Sequence, residues 1–102
     1  MTVKIIRLMN GEEIIGKTDD GIMAVTVSKP AAIIVQPDPN SGRATMGLVE
    51  YLPMGKTKDI LINKSHIMFM YDPMDDVENA YNKMFGSGLI SVKQPSIMSL
   101  TK

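Results

Sequence analysis

The segment covering residues 3–36 constrains the fold of this chain most strongly. Two short apolar runs are joined by Asn10-Gly11, and a third run begins after Asp19-Asp20-Gly21. Asn-Gly between alternating apolar runs is the strongest local signal for a tight β-hairpin, because both residues accept positive φ. Gly16 lies inside the second run, where glycine usually marks a sharp bend. Short strands with such a bend predict a small sheet that curls into a barrel.

All of the β-strands are predicted from apolar runs bounded by turn residues. The predicted strands cover residues 3–9, 13–18, 22–27, 31–36, 46–52, 59–62 and 66–71. Pro30 separates two of these runs and cannot donate a ladder hydrogen bond, which indicates a bent strand or a strand that passes to an edge. Both faces of the run at 66–71 are largely apolar, so we expect it to lie between its own core and a neighbouring subunit.

A helix is predicted after the last of these strands. Asp72 is a good N-cap residue, Pro73 suits the first helical position, and Gly86 is a natural C-cap. Apolar residues recur at helical spacing between them, and the acidic residues cluster at the helix start, where the dipole favours them. We therefore expect one domain, with a barrel at 1–73, a helix at 74–86 and a tail at 87–102 that frays or adds a strand at 89–92.

Composition excludes several classes of site. The chain has 102 residues, no Cys and a single His, His66, and its eleven basic and eleven acidic residues cancel. Disulfides, zinc–thiolate sites and thiol catalysis are therefore excluded, as is a multi-histidine metal site within one subunit. No phosphate-binding glycine loop or serine nucleophile elbow occurs, so we expect no enzyme, catalytic residue, metal or cofactor. Without a signal peptide or a run of about 18 apolar residues, we expect a cytoplasmic protein and no membrane partner.

Two blocks of the sequence carry a family resemblance. The first comprises Leu8-Met9-Asn10-Gly11, Gly16 and Asp20-Gly21-Ile22-Met23, and the second comprises Ile60-Leu61-Ile62-Asn63-Lys64 and Ile67. They are similar to the two motifs of the Sm/LSm family, which includes bacterial Hfq. The chain departs from those motifs in a shorter gap between Gly16 and Asp20, in Ala24 at the base-binding Asn, and in Asn63-Lys64 where the family has Arg-Gly. The resemblance covers roughly residues 3–73 and implies an all-β fold, a strongly bent five-stranded SH3-like barrel of Sm type, here followed by one C-terminal helix.

The resemblance also implies an assembly and a ligand. In this family the fourth strand of one subunit pairs with the fifth strand of the next, so residues 59–62 are expected to pair with residues 66–71 of a neighbour. The expected product is a homo-oligomeric ring of five to seven subunits that binds single-stranded RNA, or DNA, with low sequence specificity. Lys64 would line the pore, Met23 would stack on a base, and Asn63 would hydrogen-bond a base edge. Further phosphate contacts are expected from Arg43, Lys56 and Lys58.

Two other interpretations remain open. The first is a structural or adaptor ring that binds protein and no nucleic acid; neutral charge, few aromatic residues, Ala24 and ten Met residues favour it. The second is an unrelated barrel, such as an OB-type fold, which the short chain and the late helix do not exclude.

Overall fold

The computed structural model describes residues 1–86 and 96–100 of the chain. The strands are β1 (Thr2–Leu8), β2 (Glu13–Asp20), β3 (Ala24–Pro37), β4 (Ala44–Glu50), β5 (Asp59–Asn63), β6 (Ile67–Tyr71) and β7 (Ser96–Leu100). A short 3₁₀ helix, Lys64–His66, joins β5 to β6, and one α-helix, α1, covers Asp75–Phe85. The prediction of a β fold with one C-terminal helix is confirmed, although the described residues form seven strands where the family resemblance implied five.

All seven strands belong to one antiparallel sheet. Six of them follow in the order β6-β1-β2-β3-β4-β7, and β5 pairs with the first part of β3. Within the described residues β5 and β6 do not pair with each other, so the sheet stays open and the prediction of a closed barrel is wrong. The reason is that the strands flanking the 3₁₀ helix pair in different places, β5 with β3 and β6 with β1.

The tail contributes one strand to this sheet. β7 pairs with β4, with Ala44 opposite Leu100 and Leu48 opposite Ser96. The strand predicted at 89–92 lies outside the described residues. The edge of β4 is therefore covered by the chain itself.

The bend predicted at Gly16 is present. The β2–β3 register shifts between Ile15 and Lys17, and a Cβ built on Gly16 would lie 2.5 Å from Val27 Cγ1 and 3.2 Å from the Ser28 carbonyl oxygen. Only glycine permits this close approach of β2 to β3. The bulge increases the local twist and lets the short sheet curve around its apolar face.

The turn between β1 and β2 is longer than the predicted two-residue hairpin. The Leu8 N–H donates to the Glu12 carbonyl at 2.8 Å, and the Gly11 N–H donates to the Leu8 carbonyl at 2.9 Å. Gly11 has φ +93°, whereas Asn10 has no positive φ. Because only the glycine takes this conformation, the connection becomes a three-residue loop with a glycine bulge.

Apolar residues are buried on both faces of the sheet. Consecutive residues of a strand point to opposite faces, so Ile5 and Ile15 join one cluster while Ile6 and Ile14 join the other. The first cluster packs under α1 and consists of Ile5, Ile15, Ala31, Met46, Leu48, Val77, Tyr81 and Met84. The second lies on the opposite face and consists of Ile6, Leu8, Ile14, Val25, Val27 and Ile62. Burial on both faces explains the continuous apolar runs in β1 and β2.

The helix begins later than its sequence signals indicate. Its N-cap is Met74, which makes no side-chain cap hydrogen bond, so the prediction that Asp72 caps the helix and Pro73 opens it is wrong. The Asp72 carboxylate is instead engaged by the Lys4 ammonium group on β1. The acidic first turn and the C-cap at Gly86 are as predicted.

Candidate nucleic-acid interface

The 3₁₀ helix connects two distant turns of the chain. At its start the Lys64 N–H donates to the Met23 carbonyl at 2.9 Å, and at its end the His66 carbonyl accepts from the Met9 N–H at 2.8 Å. Asn63 caps it, because its side-chain oxygen accepts a hydrogen bond from the Ser65 N–H at 3.0 Å. The turn after β2 and the hairpin after β1 therefore lie on either side of one short, capped element.

Three of the predicted ligand-binding residues meet at the start of this helix. Ala24 lies opposite Asn63 in the β3–β5 ladder, which places Met23 beside Asn63 and Lys64. The Met23 side chain is 73% exposed and its neighbour Ile22 is 92% exposed. The site combines an apolar surface, a carboxamide and an ammonium group within one turn of chain.

The Lys64 ammonium group of this site forms an ion pair with Asp20, at the end of β2. The Lys64 Nζ lies 2.8 Å from the Asp20 Oδ1, and Asp19 precedes it in the same strand. In the sequence, Asp20 belongs to the first motif block and has no predicted partner. No local signal pairs Asp20 with Lys64, since their proximity depends on β3 pairing with both β2 and β5.

The other predicted phosphate contacts lie elsewhere. Lys58 precedes β5 at the end opposite to Lys64, so the length of a five-residue strand, about 17 Å, separates the two ends. The Lys58 ammonium pairs with Glu50 at 2.8 Å and donates to the Leu52 carbonyl at 2.7 Å. Lys56 is exposed in the same loop, where it makes no ion pair with a described residue.

Arg43 also lies away from the 3₁₀ helix. It closes the tip of the β3–β4 hairpin, where its carbonyl accepts from the Asp38 N–H at 2.7 Å. Asp38 orders this tip further by accepting hydrogen bonds from the Asn40 N–H and the Ser41 hydroxyl, both at 2.9 Å. Within one chain, Arg43 and Lys64 therefore do not belong to one site.

A cavity that sequence reasoning missed opens on the other side of the 3₁₀ helix. It has a volume of about 290 Å³ and is lined by Leu8, Met9, Asn10, Tyr51, Ile60, Ile62 and His66. At its rim the Glu12 Oε1 accepts from the Asn10 side-chain amide at 2.9 Å and from the Tyr51 hydroxyl at 3.1 Å. Burial, and then the bond to Glu12, raise the pKa of Tyr51 above its usual value.

The two strands at the opening of the sheet carry exposed apolar side chains. Leu61 on β5 is 70% exposed, and Met68, Phe69 and Tyr71 on β6 are also exposed. The rings of Phe69 and Tyr71 pack with centroids 5.8 Å apart, and the Tyr71 hydroxyl donates to Glu13 at 3.0 Å. Burial, followed by this bond, raises the pKa of Tyr71.

Other kinds of site find no support in the described residues. In residues 1–86 and 96–100, no group of three or more His, Asp or Glu side chains could hold a metal ion. No helix in the same ranges combines the length and the apolarity needed to cross a bilayer.

No protein-family model matches this chain, and no curated protein matches it significantly.

Proposed function

We propose that this chain is the subunit of a homo-oligomeric ring of Sm type, and that the ring binds single-stranded RNA without catalysing a reaction. The likeness of two sequence blocks to the Sm/LSm motifs supports the assignment. The ladder β6-β1-β2-β3-β5 supports it as well, since it joins both blocks into one bent, five-stranded unit of SH3-like type. Single-stranded DNA is the alternative nucleic acid.

The ring forms at the opening of the sheet. Among the described residues β5 pairs only with β3 and β6 only with β1, so each strand presents one edge of unpaired backbone groups. Such edges pair readily with another chain unless they are covered. Pairing of β5 with β6 of a neighbour covers both edges together with the exposed Leu61 and Met68. Repeated head to tail, this contact closes a ring, for which we propose five to seven subunits.

The main support for RNA binding is the hydrogen bond from the Lys64 N–H to the Met23 carbonyl. It holds an exposed apolar side chain beside a lysine and an asparagine, in one small surface. In a ring this surface repeats, and a circle of Lys64 side chains focuses a positive potential that attracts phosphates. A base stacks on Met23, and the Asn63 side-chain nitrogen, which donates to no described residue, contacts its edge.

The ion pair with Asp20 sets the strength of this binding. A phosphate must displace the Asp20 carboxylate from Lys64, so we expect weak binding that falls steeply with salt. The direct test is Lys64→Glu, which removes RNA binding and leaves the mass of the ring unchanged. An unchanged affinity in this variant would contradict the site.

A second candidate is an adaptor ring that binds protein. The ion pair between Lys64 and Asp20 favours it, because the lysine is already neutralised beside the exposed apolar Ile22 and Met23. The salt dependence of RNA binding separates the two functions. A phosphate-binding site gives a slope of about −0.7 in log affinity against log salt for each phosphate neutralised, whereas an adaptor shows no specific binding of RNA.

A further inference from the structure

The cavity beside the 3₁₀ helix is matched by an exposed loop on the same chain. We propose that two copies of the protein exchange these loops: Met54 of each copy inserts into the cavity of the other, and Lys56 of each copy pairs with Glu12 at the rim of the partner's cavity. This contact uses neither the Lys64 surface nor the free edges of β5 and β6, so it does not depend on the proposed function.

The cavity has the size and lining to hold an apolar side chain. Its volume of about 290 Å³ exceeds that of the cavities of about 150 Å³ that bind benzene in a protein core. Its floor is formed by Leu8 and Ile62, which belong to the buried cluster, and by Ile60 packed against it. Inserting an apolar group there removes surface from water on both partners, which favours occupation.

The rim of the cavity carries an uncompensated negative charge. Asn10 and Tyr51 both donate to one oxygen of Glu12, which fixes the carboxylate in place. The second oxygen, Oε2, accepts no hydrogen bond, and no cation pairs with Glu12 among residues 1–86. The occupant of the cavity is therefore expected to bring a positive charge next to its apolar group.

The loop between β4 and β5 presents this combination. Met54 is 98% exposed in a tight turn closed by the Gly55 N–H donating to the Leu52 carbonyl at 3.1 Å. A Cβ on Gly55 would lie 2.7 Å from the Thr57 carbonyl oxygen, so the turn requires glycine. Lys56 is exposed with no partner among the described residues, whereas Lys58 in the same loop is held by Glu50.

The positions of the loop and the cavity favour a reciprocal contact. Tyr51 lines the cavity and stands three residues before Met54, so the loop begins next to the cavity. Two copies related by a twofold axis then satisfy both contacts at once. If the subunits already form a ring, the same contact joins two rings and doubles the mass.

Charge exchange between Glu12 and Lys56 tests the proposal. We expect Glu12→Lys or Lys56→Glu alone to weaken the pairing about tenfold or more, and the double variant to restore it, since each copy then carries both reversed charges. Met54→Ala is expected to weaken it about 100-fold or more, because the reciprocal contact loses two buried apolar side chains at once. Lys83→Glu and Met74→Ala, on the helix, are the matched controls. The measurement is solution mass by light scattering across a range of protein concentrations.

The outcomes separate this contact from the others. If the single variants lose half the mass and the double variant recovers it, the reciprocal contact is supported. If the losses add in the double variant, the contact is overturned.

Methyl NMR of Ile60 and Ile62 provides a second test of the contact. Signals that move with protein concentration in the wild type, and not in Met54→Ala, support insertion. If the signals do not shift with protein concentration but shift on addition of adenosine, the cavity binds a base and the proposal is overturned.

Discussion

The hydroxyl of Tyr81 donates a 2.8 Å hydrogen bond to the backbone carbonyl of Lys29. Tyr81 is fully buried on α1, and Lys29, with φ +51°, is the one non-glycine residue of the described chain that has positive φ. The bond satisfies a carbonyl at the bend of β3, immediately before Pro30. The helix is therefore tied to β3 between the part that pairs with β5 and the part that pairs with β4.

We predict that Tyr81→Phe lowers the free energy of unfolding at pH 7 by about 1–2 kcal/mol, because the partly buried Lys29 carbonyl loses its donor. Urea denaturation of the wild type and the variant measures this difference. Phe85→Leu, at a partly buried position on the same helix, is the control for general loosening of the helix contact. If Tyr81→Phe were as stable as the wild type, the hydroxyl would not hold the bend.

The same residue predicts a specific loss of stability in alkali. Burial raises the pKa of Tyr81 from 10.0 to about 12. The native state then holds the phenol proton more tightly than the unfolded state, so its contribution is complete below pH 10 and is lost as the pH rises towards 12. The wild type should lose about 2–3 kcal/mol more than Tyr81→Phe over this interval. Parallel unfolding curves of both proteins from pH 9 to 12 test this, and a constant difference would contradict it.

Gly16 gives a steric prediction. Gly16→Ala places a methyl group against Val27 and the Ser28 backbone, and we expect it to destabilise the fold by about 2 kcal/mol or more. Gly42→Asn is the matched control, because nothing lies within 4 Å of a Cβ there and its φ of +70° is close to the left-handed region that Asn tolerates. Thermal unfolding of the two variants should separate them clearly; equal melting temperatures would show that the bulge can relax.

Some of this architecture could be predicted from the sequence and some could not. The bend at Gly16, the helix and the strands on either side of residues 64–66 follow from local chemistry, because glycine and periodic apolar residues act within a few positions. The cap at Asp72 was wrong because Lys4, on a distant strand, takes its carboxylate. A local capping pattern does not include that competitor.

The candidate site shows the same division. The proximity of Met23, Asn63 and Lys64 was expected from the resemblance and is present. The ion pair of Lys64 with Asp20 and the cavity beside His66 were not expected, since both depend on which strands lie next to each other. Strand neighbours are a property of the whole sheet, and a single sequence carries no direct signal of them.

Substitution of Asp20 is predicted to raise the affinity for RNA, whereas Lys64→Glu is predicted to remove it. Asp20→Asn releases the Lys64 ammonium and should raise affinity for a short oligouridine about three- to tenfold at low salt. Asp75→Asn removes the same charge from the exposed first turn of α1 and is the matched control. Fluorescence anisotropy of a labelled oligonucleotide measures the change. Equal affinities in both variants would mean that Asp20 does not compete with phosphate.

The free edges of β5 and β6 give a prediction about assembly. Leu61→Lys and Met68→Lys place charges on the two exposed edge strands, and we expect each to dissociate the ring while the fold, followed by circular dichroism, is retained. Ile22→Lys is the control, since Ile22 is more exposed than Leu61 and Met68 and lies in the turn after β2, outside both edges. A ring that survives both edge substitutions would contradict pairing of residues 59–62 with 66–71.

The solution mass of the protein, measured by light scattering with and without a short single-stranded RNA, tests the central claim most directly. We predict a closed assembly of five to seven subunits, or twice that number when two rings pair, that gains the mass of RNA at low salt and loses it at moderate salt. An assembly of this size that gains no mass from RNA would favour the protein adaptor as the function. A monomer at all concentrations would contradict the ring, and with it the account of the Lys64 surface as a pore.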